Sequence, residues 1–244
     1  MSDVAETRRL AEALTSSLHL AVPPIAISFE REAPDDVAAF DEPMSEPAAD
    51  GRQGRVPAGC VFWVRATDHT FSTAPRDHGN CSVGSYTHGL AALEDVVGND
   101  DVATLLGSGW VDAVDVANLP VVPDAPAAVV YGPLAESAGD PDVVLLRVNG
   151  RQLMVLSDAL PALRIEGKPQ CHIVALAQRG EMAASVGCAL SRARTGMRAD
   201  EMTLAFPGPR LAEVVEAVER TAKVDTAVAK YAAEDARRFT AVTG

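Results

Sequence analysis

The order of apolar segments along the chain constrains its fold most. Short strand-like runs at residues 25–29, 127–131 and 143–148 are interspersed with segments of helical periodicity. A doubly wound parallel sheet would need a regular alternation of strand and helix, and the chain has no such alternation. The pattern therefore predicts an α+β protein, folded as a single mixed domain over residues 1–244.

Four segments complete the expected outline. Residues 3–20 carry leucines one helical turn apart, and two consecutive prolines end this helix. Residues 88–97 are also expected to be helical. Apolar residues recur at helical spacing over residues 211–231 and predict a long closing helix at the C-terminus. Residues 31–55 are polar and rich in proline, glycine and acidic side chains, which predicts an exposed acidic loop.

Charge and hydropathy exclude several classes of function. The chain has 34 acidic and 21 basic residues and a net charge of −13, which would repel a nucleic-acid backbone. No apolar stretch approaches the ~20 residues that span a bilayer, so no membrane partner is expected. The N-terminus lacks the basic-then-apolar order of a signal peptide, which favours a cytoplasmic location. In that reducing compartment the four cysteines are buried hydrophobes, reactive thiols or ligands rather than disulfides.

The cysteines occur in two similar stretches. Cys60 and Cys81 are 21 positions apart, and Cys171 and Cys188 are 17 positions apart. In each stretch the first cysteine opens an apolar segment, and a polar turn and a short β-like run lead to the second. We therefore expect two copies of a cysteine–helix–strand–cysteine unit, in two pseudo-symmetric halves. A pseudo-twofold axis between them would bring the four sulfurs near one point.

Four thiolates are a ligand set for zinc or for an iron–sulfur cluster. The chain has neither the close C-x₂₋₄-C pairs of structural zinc sites nor ferredoxin spacing, so any site must be assembled by the tertiary fold. Our leading hypothesis is a [4Fe–4S] cluster that transfers electrons to a small molecule or activates it directly. The alternatives are a zinc ion that staples a small-ligand-binding module, and a metal-free thiol redox sensor. No motif identifies a reaction.

Three histidines and three basic residues lie near the cysteines in sequence. His78, His88 and His172 are expected to surround the ligands and to hydrogen-bond to sulfur. Basic residues are locally concentrated around the second cysteine pair, at Lys168, Arg192 and Arg194, in an otherwise acidic chain. They are candidates to bind a small anionic substrate, although a solvated helix end would explain them equally well. An electron-donor protein and a second copy of the chain are the other expected partners.

The same residues carry a family resemblance. The stretches GCVFW, DHGNCSVGSYTHG, PDVVLL, GKPQC and VGCALSRARTGM, with residues 201–208, resemble a bacterial and archaeal family known as domain of unknown function 169. These stretches cover most of residues 57–215. The resemblance implies that all four cysteines belong to the pattern of the family, which favours a role as ligands. It implies no reaction.

Overall fold

A seven-stranded sheet forms the centre of the protein. The structure is a computed structural model that describes residues 4–41, 59–79, 81–195 and 197–236. The strands are β1 Ile25–Glu30, β2 Phe71–Thr73, β3 Ala128–Pro133, β4 Val143–Val148, β5 Arg164–Glu166, β6 Ala183–Ser185 and β7 Met202–Pro207. Their order across the sheet is β2-β3-β1-β4-β7-β6-β5. Every neighbouring pair is antiparallel except β5 and β6, which are parallel.

Helices cover both faces of this sheet. Those in the described residues are α1 Val4–Leu18, α2 Gly59–Arg65, α3 Ser82–Thr87, α4 Leu93–Val96, α5 Asp100–Gly107, α6 Ala113–Ala117, α7 Gly150–Ala159, α8 His172–Gln178, α9 Ala189–Thr195 and α10 Leu211–Ala236. Side chains alternate between two apolar cores, as a pleated strand requires. Ile25 and Ile27 pack with α2, α3, α5, α6 and α8. Ala26 packs on the other face with α1, α7 and α10. The predicted α+β class is confirmed.

The sheet repeats itself about its centre. The central strands β1 and β4 pair antiparallel, with Ala26 opposite Val144. On either side of this pair, β1 is joined to β3 and then β2, while β4 is joined to β7 and then β6. The order β2-β3-β1 is therefore repeated in reverse as β4-β7-β6, about a pseudo-twofold axis between Ala26 and Val144. Strand β5 has a short counterpart in the first half, where Ala39 forms a parallel bridge with Ser72 of β2, as Ile165 of β5 pairs in parallel with Ala184 of β6.

The symmetry extends to the register of individual residues. Aligned by their pairing with the central strands, β3 and β7 put Tyr131 in the place of Ala205. On that alignment the β2 residues Phe71–Thr73 correspond to the β6 residues Ala183–Ser185. A shared register in three strand pairs is the signature of two structurally equivalent halves, as the repeated cysteine pattern predicts.

The two cysteine units also have the same order of elements. In the first half Cys60 lies in α2, strand β2 follows, and Cys81 immediately precedes α3. In the second half Cys171 immediately precedes α8, strand β6 follows, and Cys188 immediately precedes α9. The predicted cysteine–helix–strand–cysteine unit is thus present twice, each time followed by a further helix.

The helix expected over residues 88–97 is wrong. Helix α3 ends at Thr87, and only the short α4 lies within that range. Gly89 has a φ of +70°, which ends a right-handed helix, and a Cβ there would lie 2.5 Å from the carbonyl oxygen of Val122. The chain therefore turns at this glycine.

The two terminal helices agree with the sequence, and the acidic loop is described in part. Helix α10 runs from Leu211 to Ala236 and is buried only as far as Val218. Within residues 31–41, the amide of Phe40 donates to the carbonyl of Ser72 over 2.8 Å, so this stretch extends the sheet edge at β2. The rest of the predicted loop, residues 42–55, lies outside the described residues. None of the described helices has the length and hydropathy needed to cross a membrane.

Candidate functional site

One cavity brings the four cysteines together. It encloses about 30 Å³, and Cys60, Cys81, Cys171 and Cys188 all contribute to its wall. The remaining wall is formed by Val83, Gly84, His88, Asp101, Leu105, Pro169, Gln170, Leu190 and Ser191. The cavity therefore draws on both cysteine units, which are more than 80 residues apart in sequence.

Crossed packing between the halves builds this cavity. Helix α2 of the first half packs on α9 of the second, and α3 of the first half packs on α8 of the second. Cys60 lies in α2 and Cys188 precedes α9, whereas Cys81 and Cys171 precede α3 and α8. Each cysteine is thus carried to the boundary between the halves. This is the arrangement expected of a site at a pseudo-twofold axis.

The thiols lie close enough to influence one another. Burial raises the pKa of Cys81 well above its usual value, and the neighbouring Cys171 and Cys60 raise it further. Burial also raises the pKa of Cys171 to about 12; a hydrogen bond with Thr87 lowers it, and Cys188 and Cys60 raise it. Without a cation among them these two thiols stay protonated at neutral pH. A bound metal would reverse that preference.

The cysteines surround a space rather than meet at one atom-sized point. Among the described residues, no three histidine, cysteine or acidic side chains are arranged to hold a single metal ion. The donor set nevertheless suits an iron–sulfur cluster, which four cysteines commonly hold. Gly84 contributes to the fit, because a Cβ at that position would lie 3.1 Å from the Sγ of Cys81. The glycine leaves the backbone close to the sulfur.

A buried carboxylate, which the sequence did not reveal, fixes the segment after Cys81. Asp101 accepts hydrogen bonds from the amide of Ser82 over 2.9 Å and from its hydroxyl over 2.7 Å. The Asn99 side chain donates to the same hydroxyl over 2.8 Å. Asp101 thereby supplies a partner for one of the open amides at the start of α3. It is 6% exposed and forms part of the cavity wall.

A hydrogen bond joins the two cysteine segments of the second half. The side-chain amide of Gln170 donates to the hydroxyl of Ser191 over 2.7 Å, and both residues are buried in the cavity wall. Gln170 precedes Cys171 and Ser191 follows Cys188. This hydrogen bond therefore sets the spacing between the segments that carry the two sulfurs.

The three predicted histidines are all buried. His88 is in the cavity wall, and its Nδ1 lies 2.9 Å from the carbonyl oxygen of Gly84. His78 does not reach the wall, and its Nε2 lies 2.9 Å from the hydroxyl of Thr73. Burial lowers the pKa of His78 well below its usual value and the pKa of His88 to about 4. Both imidazoles are neutral at physiological pH.

His172 is the first residue of α8, in the second half of the molecule. Its Nε2 is 3.5 Å from a carboxylate oxygen of Glu166, and burial lowers the pKa of this histidine. Its neighbour in the chain, Cys171, is in the cavity wall. A hydrogen bond from any of the three histidines to a cysteine sulfur stays a prediction.

Arg192 holds its own loop together. Its Nη1 donates to the carbonyls of Arg198 and Ala199 over 2.7 and 2.8 Å. Its Nη2 donates to the carbonyls of Val186 and Glu201 over 2.9 and 2.7 Å. The guanidinium lies over Gly187, where φ is +124° and a Cβ would be 2.7 Å from Nη2. Both terminal nitrogens are therefore engaged by the backbone.

The other two predicted substrate ligands differ in their surroundings. The Nζ of Lys168 lies 4.7 Å from the centre of the Trp110 ring, in a cation–π contact. The next residue, Pro169, is in the cavity wall. Arg194 lies in α9, and its side chain is outside the described part of the structure. The predicted binding of an anion by these residues stays a prediction.

A known protein family matches most of the chain, including its four cysteines. The sequence profile of the uncharacterised ArCR family, domain of unknown function 169, matches residues 13–217. The chain belongs to this family. The matched residues include both cysteine units and all seven strands, so the four-cysteine cavity lies entirely within the family domain. No curated protein and no solved structure matches the chain.

Proposed function

We propose that the four cysteines hold an iron–sulfur cluster of the [4Fe–4S] type, in a redox protein or an enzyme that activates a small molecule. The observation that carries the proposal is the single cavity that all four cysteines line. Such a cluster, when bound, supplies one-electron transfer at a potential set by its surroundings.

These residues position the sulfurs and keep water from them. Asp101 fixes the segment after Cys81, and the Gln170–Ser191 hydrogen bond fixes the segments at Cys171 and Cys188. The apolar side chains of Val83, Leu105 and Leu190 fill the wall between the cysteines. A dry, apolar wall lowers the local dielectric constant, and hydrogen bonds and solvent access then tune the bound group.

Of the alternative functions, the thiol sensor has the weaker support. Burial raises the pKa of Cys81 and of Cys171, and a buried thiol with a raised pKa reacts slowly with oxidants. A zinc ion would use the same sulfur donors, so metal analysis is needed to distinguish a zinc site from a cluster. The substrate of the proposed enzyme is a small anion near Lys168, and its redox partner is an electron-donor protein.

Metal analysis of anaerobically purified protein tests the proposal. We expect broad absorbance near ~400 nm and about four iron and four sulfide ions per chain. Replacing any one cysteine with alanine should lower the iron content at least severalfold. Val186→Ala, an exposed change two residues before Cys188, should leave it unaltered. One zinc ion per chain would instead establish the zinc-stapled ligand-binding module. Metal-free protein with reversible thiol oxidation would establish the sensor.

A further inference from the structure

Besides Nε1 of Trp63, three buried polar atoms of the first half lack a hydrogen-bond partner among the described residues. They are Nδ1 of His78, Nε2 of His88 and Oη of Tyr131. Each of these side chains is at most 1% exposed. Buried polar groups in proteins nearly always have a hydrogen-bond partner, so an unpartnered one indicates a bound water, ion or ligand.

The three rings lie in a row that leads to the cysteine cavity. The ring centre of His78 is 6.3 Å from that of Tyr131 and 5.9 Å from that of His88. His88 forms part of the cavity wall. Phe62 closes one side of the row, with its ring centre 4.8 Å from that of His78 and 5.5 Å from that of Tyr131. The unpartnered atoms are therefore enclosed by apolar groups beside the cysteines.

Hydrogen bonds fix which nitrogen of each histidine carries the proton. A carbonyl oxygen only accepts, so Nδ1 of His88 must donate to Gly84, which leaves a lone pair on Nε2. Thr73 donates its one hydroxyl proton to the carbonyl of Val129 over 3.1 Å. It therefore accepts from Nε2 of His78, which leaves a lone pair on Nδ1.

We propose that these atoms form a binding subsite for one small neutral hydride of oxygen or nitrogen, the class of water and ammonia. Such a molecule donates two hydrogen bonds, to His78 and His88, and accepts one from the hydroxyl of Tyr131. An anion would face two lone pairs and is excluded from this position.

The subsite belongs to one half of the molecule only. Strand β2 ends eight residues before Cys81, whereas β6 ends three residues before Cys188, so the segment that carries His78 has no equivalent between β6 and Cys188. Thr195 stands seven residues after Cys188, as His88 stands after Cys81. The second half has Ala205 in the place of Tyr131. The cavity therefore has a hydrogen-bonding end and an end without this group. None of the three side chains is a cysteine ligand, so the subsite stands whether or not the proposed cluster is bound.

The first test is the thermal stability of Tyr131→Phe in the full chain. If the hydroxyl binds a bridging molecule, its removal loses a hydrogen bond and the Tm falls by roughly 2–4 °C. Tyr231→Phe, at an exposed position on α10, is the matched control and should leave the Tm unchanged. An unchanged or raised Tm in Tyr131→Phe would overturn the proposal, because it would mean that the hydroxyl has no partner.

The second test is NMR of the full chain labelled with ¹⁵N-histidine. We expect the proton on Nδ1 of His88 and on Nε2 of His78, with magnetisation transfer from a long-lived water to ring protons of both residues. The opposite tautomers, or no transfer to either ring, would overturn the proposal. Iron content, measured on the same sample, reports separately on the proposed cluster, so the two proposals can fail independently.

Discussion

At the scale of single residues, the sequence indicated the four cysteines of the cavity but not the residues that position them. The four cysteines were recognisable because they recur in two similar stretches. Asp101 could not be recognised, since its partner Ser82 is 19 positions away and only tertiary packing joins them. Tyr131 was equally hidden, because a tyrosine in a strand is most simply a core residue. Local patterns reveal what repeats, whereas contacts between distant segments depend on the fold.

Asp101→Ala should destabilise the protein. The substitution leaves the buried amide and hydroxyl of Ser82 without their acceptor, which costs about 1–3 kcal/mol in the free energy of unfolding. Asp100→Ala, one residue earlier and exposed, should change it by less than about 0.5 kcal/mol. Urea unfolding of the two variants measures the difference. Equal effects would show that Asp101 does not hold the start of α3.

His88 should make the metal-free protein less stable in acid. Burial lowers its pKa to about 4, whereas the pKa in an unfolded chain is about 6.5. Between these values the unfolded state binds a proton that the folded state does not. The stabilisation is therefore complete above pH ~6.5 and is lost as the pH falls toward ~4.

Comparison of wild type with His88→Gln isolates this effect. Between pH ~7.5 and ~4.5, the wild type should lose about 2–3 kcal/mol more in the free energy of unfolding than the variant. Urea unfolding at the two pH values gives both losses. His19→Gln removes an exposed histidine and should lose as much stability as the wild type. If His88→Gln did the same, the neutral buried state of His88 would be wrong.

At the scale of elements, strands followed the sequence more closely than the helices around the site. Residues 143–148 were expected as a strand and form β4 with the same bounds. The error at residues 88–97 arose because helical periodicity continues past Gly89, while the backbone there adopts a left-handed conformation. The surroundings of Arg192 were also hidden in the sequence. Its charge suggested a ligand for an anion, which stays a prediction, and the irregular loop around α9 provides four carbonyls that accept its hydrogen bonds.

Arg192→Ala should loosen the loop on both sides of α9. Four charge-assisted hydrogen bonds to the backbone are lost, and we expect a cost of at least about 2 kcal/mol in the free energy of unfolding. Arg198→Ala removes an exposed ion pair with Asp200 and should cost at most about 1 kcal/mol. Hydrogen exchange should accelerate at residues 186–201 in the first variant only. Unaltered hydrogen exchange in Arg192→Ala would show that Arg192 does not hold this loop.

At the scale of the whole molecule, the two halves depend on each other. The central strands β1 and β4 pair across the boundary, and both helix pairs around the cysteine cavity cross it. The sequence predicted the two units because they share an order of elements. It could not show the crossed packing, since which helix of one half meets which helix of the other is decided by the register at the centre of the sheet.

Cleavage of the chain between the two halves should therefore leave the two fragments associated. Gly139 lies in the exposed connection between β3 and β4, and a Cβ there would meet no atom within 4 Å. We expect a protease site inserted at this glycine to be cleaved without a change in elution volume or bound metal. The cut protein should unfold at a lower urea concentration, because the halves then separate on unfolding. Separation of the fragments in buffer would contradict the interdependence of the halves.

The sheet is pseudo-twofold in register, but its two halves carry different side chains at paired positions. This has a consequence for how such a site could evolve. When a scaffold is present in two copies, a substitution in one copy leaves the geometry supplied by the other intact. The paired positions Phe71 and Ala183, and Tyr131 and Ala205, differ in side-chain size although the strand register of the two halves is the same. The two ends of a pocket built in this way carry different side chains, so a bound ligand adopts one orientation rather than two equivalent ones. Large-to-small exchanges at these paired positions are then the natural route by which one lineage of the fold could turn its ligand around.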